Sequence, residues 1–415
     1  MRTLLWYINL FLIIQVKAQV TPVTVPIRDS ISNLANSVIR NSYTEIEFID
    51  AENYILRHQI TTTVLNRNGI KEGNLSHLEA ERNKFRLLEA KTLAKNGQTL
   101  HVFTEGNLNK AKLVSLGGDV RESMNYYGLQ MEEDHFPYST YCSYETKRNG
   151  TLNISEWIPI DSKNSGLEAA SLKIVLKPEM VLNTKIIGNI VLAKHDSSRK
   201  SKVLIYKAHP QKPIPAHDTV SIAPSLRMTL SSFTLLGNKG QIDTWESFGN
   251  WISDLNDSQI ELPEHIEKLV KDTVEKYNSD SLIIKALYAY IQNEYRYMSI
   301  QLGIGGWKPQ PNVFTCSKGI GDCKALSLLL KCLLVKAGIE AYYCLASMND
   351  KKETIYPDFP ENRFNHAMVC AILNGRNYWI ECTSKTLQAG QPSPSCIGTY
   401  ALRIERDKSR LVKIE

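Results

Sequence analysis

The sequence predicts an α+β protein, with an N-terminal β-sandwich followed by a helical layer packed on an antiparallel sheet. Three observations carry this. Short strand patterns separated by turn residues fill residues 25–235. From Trp245 the apolar residues return at helical spacing instead. A run from Ala325 to Leu334, apolar nearly all round, then reads as a buried helix ahead of two more strands.

The chain has 415 residues, enough for two or three domains. It is 43% hydrophobic and 22% charged, which excludes collagen, coiled coil and long disorder. The net charge of +6 is spread along the chain, and no basic block forms a nucleic-acid footprint. Residues 1–18 have a positive start at Arg2, an apolar run from Leu4 to Ile14, and Val16-Lys17-Ala18 before Gln19. This is the pattern of a signal peptide, and the run is too short for the ~20 residues of a spanning helix. The expectation is an exported protein, periplasmic or secreted, with no stable membrane insertion.

In the β region, Tyr54–Leu65, Phe85–Leu93, Thr99–Phe103, Ser171–Leu176, Thr184–Leu192 and Lys202–Ala208 read as strands. Asn96-Gly97 marks a hairpin turn. Asp29–Ile39 reads as a short helix. Three prolines between His209 and His217 mark an irregular connection. Beyond the boundary near 235–245, helices are expected at Thr244–Leu255, at Pro263–Tyr277 and from Asp280.

The chemistry concentrates around Gly319-Ile320-Gly321-Asp322-Cys323-Lys324. Asp322 is a good N-cap, so Cys323 opens the buried helix and Gly338 closes it. The positive end of a helix favours a thiolate, the reactive form of cysteine. Its unpaired amides also face any oxyanion formed there. A base is available in His366, 43 residues later, on a strand running through Asn365-His366-Ala367-Met368. The next strand, Tyr378–Thr383, carries Glu381. With Asn374-Gly375 as a two-residue hairpin loop, Leu373 faces Arg376 and His366 faces Thr383. Glu381 then lies two positions along on the same face, a diagonal of ~7–8 Å that a long side chain spans. Cys323, His366 and Glu381 thus form a nucleophile, a base and an orienting acid. Each residue alone has a structural explanation; their order and spacing together point to acyl transfer. The same register sets Cys370 and Cys382 on opposite faces. Eight cysteines, seven of them in 316–396, invite a disulfide or redox role, but no paired CxxC spacing marks a metal site.

These residues resemble the core of transglutaminase-like proteins, which are papain-like cysteine-nucleophile enzymes. The resemblance rests on Gly321-Asp322-Cys323-Lys324, Ala337-Gly338-Ile339, Asn365-His366-Ala367 and Tyr378-Trp379-Ile380-Glu381, and covers residues 245–400. Tyr295-Arg296-Tyr297 and the Gly-Gly-Trp-Lys-Pro stretch at 305–309 resemble the approach to the nucleophile in exported bacterial members. Residues 25–235 resemble the domain of unknown function that precedes this core there. The resemblance implies Cys323 as nucleophile, His366 as acid and base, and Glu381 as third member, where the family usually has Asp. It implies no cofactor and no metal, and a peptide or protein substrate, including cell-wall-derived ones. Hydrolysis is favoured over amide crosslinking. Gln301, Tyr297 and Trp307 are the candidate side-chain oxyanion donors. Residues 401–415 are expected to begin a shortened C-terminal region. The rival reading is a binding or scaffold protein that keeps the fold without the chemistry.

Overall fold

The computed structural model describes residues 26–114, 120–218, 222–348 and 354–415. The signal-peptide stretch lies outside the described residues. The chain is a mixed α/β structure rich in sheet, with few helices.

The N-terminal region is organised by a nine-stranded sheet. Its central strands are Ser37–Phe48, Asn53–Val64 and Tyr138–Asn149, twelve residues each. They pair antiparallel in sequence, with Ala170–Leu176 added parallel to the first. Side chains alternate along these strands, which divides the sheet into two chemical faces. One carries a charged lattice, in which Arg57 contacts Glu45 and Glu47 at 2.8 Å and Glu145 at 3.0 Å. The other carries Ile46, Tyr54 and Cys142 into buried clusters. The strand pair Leu182–Ile187 with Ser225–Leu230 contributes to the first of these clusters. A three-stranded sheet containing Leu75–Ala80 and Met124–Leu129 contributes to the second.

Two local expectations need correction. The helix at Asp29–Ile39 ends at Ser32, and Ser37 already starts a strand. The run Thr184–Leu192 is broken by Gly188, whose φ of 74° turns the chain. Its two halves pair in different sheets, one with Ser225–Leu230 and the other with Lys202–Ala208.

In the C-terminal half, helices run over Trp245–Asp257, Glu264–Lys276 and Asp280–Glu294. The helix Cys323–Lys336 is enclosed along its first two turns and meets solvent at its C-terminal end, around Val335 and Lys336. Leu326, Leu329, Leu330, Leu333 and Leu334 meet Ile284 and Leu287 on one flank and Val369 and Ile380 of the sheet. Leu328 and Cys332 meet Phe248, Trp251 and Tyr343 on the other. Each such leucine contributes about 1.5–3 kcal/mol of burial.

The sheet beneath has five antiparallel strands in the order Arg376–Ile380, His366–Leu373, Ala341–Ala346, Tyr400–Ile404, Arg410–Lys413. The hairpin register is the expected one, with Leu373 opposite Arg376 and Val369 opposite Ile380. Asn374 and Gly375 take φ of 51° and 73°, as a tight two-residue turn requires. Residues 401–415, expected to start a separate region, instead belong to this sheet. Ala401 and Leu402 are fully buried there, which their apolar side chains favour. All eight cysteines are free. Cys370 and Cys382 lie in separate clusters, consistent with opposite faces.

Leu402→Ala should therefore lower the unfolding free energy by about 2–5 kcal/mol in urea denaturation. A loss near zero would mean that the last two strands are not part of the core.

Candidate active site

Three elements converge where the enclosed helix begins. The backbone comes into it through Ile320–Gly321, which pairs parallel with Arg296–Tyr297. Gly321 suits this approach, because a Cβ would stand 3.0–3.2 Å from the Leu326 and Ala325 side chains and press them aside. Asp322 then caps the helix, one carboxylate oxygen accepting from the Ala325 amide at 3.0 Å. Its other oxygen pairs with the Lys324 ammonium, which is itself buried. The first helical residue is Cys323, 5% exposed and lining a cleft of about 270 Å³.

His366 is the first residue of its strand and lines the same cleft. Its Nε2 lies 2.8 Å from Glu381 Oε2. Cys323 lines the cleft with His366, and the thiol is near enough to raise the imidazole pKa. The spacing of helix and strand is held by Ser327, whose hydroxyl donates to the carbonyl of Ala367 at 3.1 Å.

Glu381 follows directly after its strand ends at Ile380. The acid is held from three sides. Its Oε1 accepts from the Thr383 amide at 2.9 Å and the Thr383 hydroxyl at 2.6 Å. Its carbonyl accepts from the Tyr288 hydroxyl at 2.6 Å. The extra methylene relative to Asp is thus accommodated, and the carboxylate reaches the imidazole at ordinary hydrogen-bond distance.

The electrostatics follow from this dry setting. Burial disfavours the His366 imidazolium, but the hydrogen bonds to Cys323 and Glu381 outweigh it and push the pKa up to about 10. Burial likewise opposes the Glu381 carboxylate, and the bonds from His366 and Thr383 reverse the balance and hold its pKa below the ordinary value.

Gln301 and Trp307 line the cleft, whereas Tyr297 is not part of its lining. The Trp307 ring also packs against Trp251 at 5.7 Å and Phe248 at 6.2 Å. Three lining residues escaped the sequence: Asn153, Leu345 and Asn362. Asn153 comes from the N-terminal region, and its contact with Asn362 spans 209 positions. Lys324 was legible only as part of the motif; its burial follows from the Asp322 ion pair. Among the described residues, no group of three or more His, Cys, Asp or Glu is placed to hold a metal ion. No described helix is long and apolar enough to cross a membrane.

No protein-family model and no curated protein matches the chain. Among solved structures, the chain is similar to a candidate protease from Parabacteroides distasonis, with a TM-score of 0.61 at 10% identity. That match covers 92% of this chain and 72% of the other, and it shows a shared fold. A candidate cysteine protease from Cytophaga hutchinsonii matches at 11% identity over 80% of this chain and 77% of the other, with a TM-score of 0.23. The periplasmic domain of TgpA from Pseudomonas aeruginosa matches at 10% identity over 75% of this chain and 94% of the other, also with a TM-score of 0.23.

Because the folded His366 pKa stands above its ordinary value of 6.5, its protonation stabilises the fold fully below about pH 6.5. That contribution is lost as the pH rises through about 10. The stability gap between wild type and His366→Gln should be widest below pH 6.5 and narrow toward pH 10, read by urea unfolding. NMR of the ring should show its titration midpoint falling in Glu381→Gln.

Proposed function

We propose that this chain is a cysteine-dependent acyl-transfer enzyme of the transglutaminase-like class, acting on peptide or carboxamide bonds. One observation carries the proposal: His366, bonded to a held carboxylate, lines the same cleft as Cys323 at the start of a buried helix.

The Cys323 sulfur, as thiolate, attacks the carbonyl carbon of the substrate, and the carbonyl π pair moves to oxygen. The Cys323 amide N–H, in the unpaired first turn, and the Gln301 carboxamide stabilise that oxyanion. The imidazolium donates a proton from Nδ1, the nitrogen not used by Glu381, to the departing amine. A thioester remains on Cys323. His366, now neutral, takes a proton from the second nucleophile as it adds, and the thiolate leaves. Water as that nucleophile yields a carboxylic acid, and an amine yields a new amide. Glu381 stays ionised throughout and keeps the ring in one orientation.

Hydrolysis is the favoured outcome. The Parabacteroides protein that shares the fold carries a protease name, and the signal-peptide pattern of residues 1–18 directs the chain to a periplasmic or extracellular space. Peptides there, including cell-wall-derived ones, are the proposed substrates. We assign the catalytic unit to the region beginning near residue 245 and the preceding strands to a separate β domain.

Incubation with a peptide library, with and without a primary amine, distinguishes the outcomes by mass spectrometry. Wild type should give cleaved products, and Cys323→Ala none. Amine incorporation without cleavage would reassign it as a crosslinking enzyme. Gln301→Ala should lower kcat by about 10²–10³-fold on the same peptides. At mildly acidic pH, iodoacetamide should label Cys323 selectively, and His366→Ala should slow this by about 10²-fold. Equal labelling in both would favour a non-catalytic scaffold.

A further inference from the structure

The cleft at Cys323 does not end at its own wall. A second cavity of about 350 Å³ opens beside it and shares Asn153, Asn362, Phe364 and Asn365 with the first. Four residues line both, so the two cavities adjoin as one interrupted groove, crossed by the Asn362 Nδ2 to Asn153 Oδ1 hydrogen bond of 2.6 Å.

The far wall of that groove is built before any substrate arrives. Glu361 is 4% exposed and is bonded to Arg227 at 2.6 Å and to Arg363 at 2.9 Å. Arg363 also reaches Glu156 at 2.8 Å. Two guanidinium groups and two carboxylates balance, so the wall is rigid and nearly neutral. A rigid wall lowers the ordering cost of binding. At the crossing point stand two carboxamides. The Asn362 Oδ1 is taken by the Phe364 amide at 3.2 Å. The Asn153 Nδ2 has no partner among the described residues and is exposed at the groove. A carboxamide offers both donor and acceptor to a peptide unit and discriminates weakly among side chains.

From this adjacency we infer that the substrate is an extended oligopeptide, held on one side of the scissile bond in a groove that the N-terminal region helps to build. Asn153 is then a substrate-positioning residue, binding a substrate backbone group one or more residues from the reacting carbonyl. The inference rests on the acyl-transfer reading of Cys323 and adds the substrate class and the role of the preceding β region.

Alkylation of Cys323 tests it without a known substrate. The sulfur displaces chloride from chloroacetamide, and the same reaction is timed with two series of polar peptide probes. Peptidyl chloromethyl ketones extend on the acyl side, and N-chloroacetyl peptides extend on the leaving-group side. In one series, the ratio of the longest probe's rate to that of the shortest reagent with the same warhead, chloroacetone or chloroacetamide, should be at least about tenfold, equivalent to about 1.4 kcal/mol. In Asn153→Trp, which fills the groove from an exposed position, that ratio should fall toward one. Asn153→Ala should lower it in part, which guards against a misfolded Trp variant. No length dependence in either series, with chloroacetamide still reacting, overturns the groove and leaves the nucleophile standing. A length gain undiminished in both variants also overturns it. A sulfur inert to every reagent overturns the groove together with the acyl-transfer reading.

Discussion

A histidine ring on the edge of a sheet can turn in several ways, and here one bond removes that freedom. Nε2 of His366 is tied to Glu381 at 2.8 Å, which leaves Nδ1 for the cleft that Cys323 also lines. Everything around the bond serves its geometry. Thr383 occupies the second carboxylate oxygen, Tyr288 anchors the backbone, and Ser327 fixes the helix against the His366 strand. Buried charge of this kind adds little net stability, because desolvation offsets much of the attraction, and an unpaired remnant costs about 3–5 kcal/mol. A site that expensive is understandable if the ordered imidazole is what matters, rather than the stability of the fold.

Much of that site was legible because its parts are local. Gly321-Asp322-Cys323 reads as a tight approach, a cap and a helix start, and the backbone follows it. Asn374-Gly375 fixed the register of the hairpin by turn chemistry alone, and the pairing of Val369 with Ile380 agrees. The acid was harder. Strand pairing stops at Ile380, so the contact with His366 depends on a Thr383 clamp that alternation does not encode. The strand Ser37–Phe48 was hidden by the helical spacing of its leading residues, and long-range pairing with Asn53–Val64 overrode that local preference. Asn153 was invisible for a related reason: nothing in the sequence near it marks a partner 209 positions away.

The junction between the β region and the C-terminal half has its own physical logic. Arg227, Glu361, Arg363 and Glu156 lie on segments far apart in sequence and neutralise one another where those segments meet. Lys185 reaches Asp358 at 2.8 Å nearby. Such a network is directional, unlike apolar packing, and fixes the distance between the two walls of the groove. The last strands act in the same spirit from the other side, placing Leu402 opposite Leu345 in the sheet that carries His366.

The central claim is that Glu381 and Cys323 act on the same imidazole, and NMR of the His366 ring in wild type and in the Cys323→Ala variant reads this directly. Comparison with His366→Gln isolates this ring from the eight other histidines. The account predicts a ring that titrates at about 10 in wild type and a midpoint that falls when the sulfur is removed. A wild-type midpoint at the ordinary value of 6.5, or one indifferent to Cys323, would contradict it.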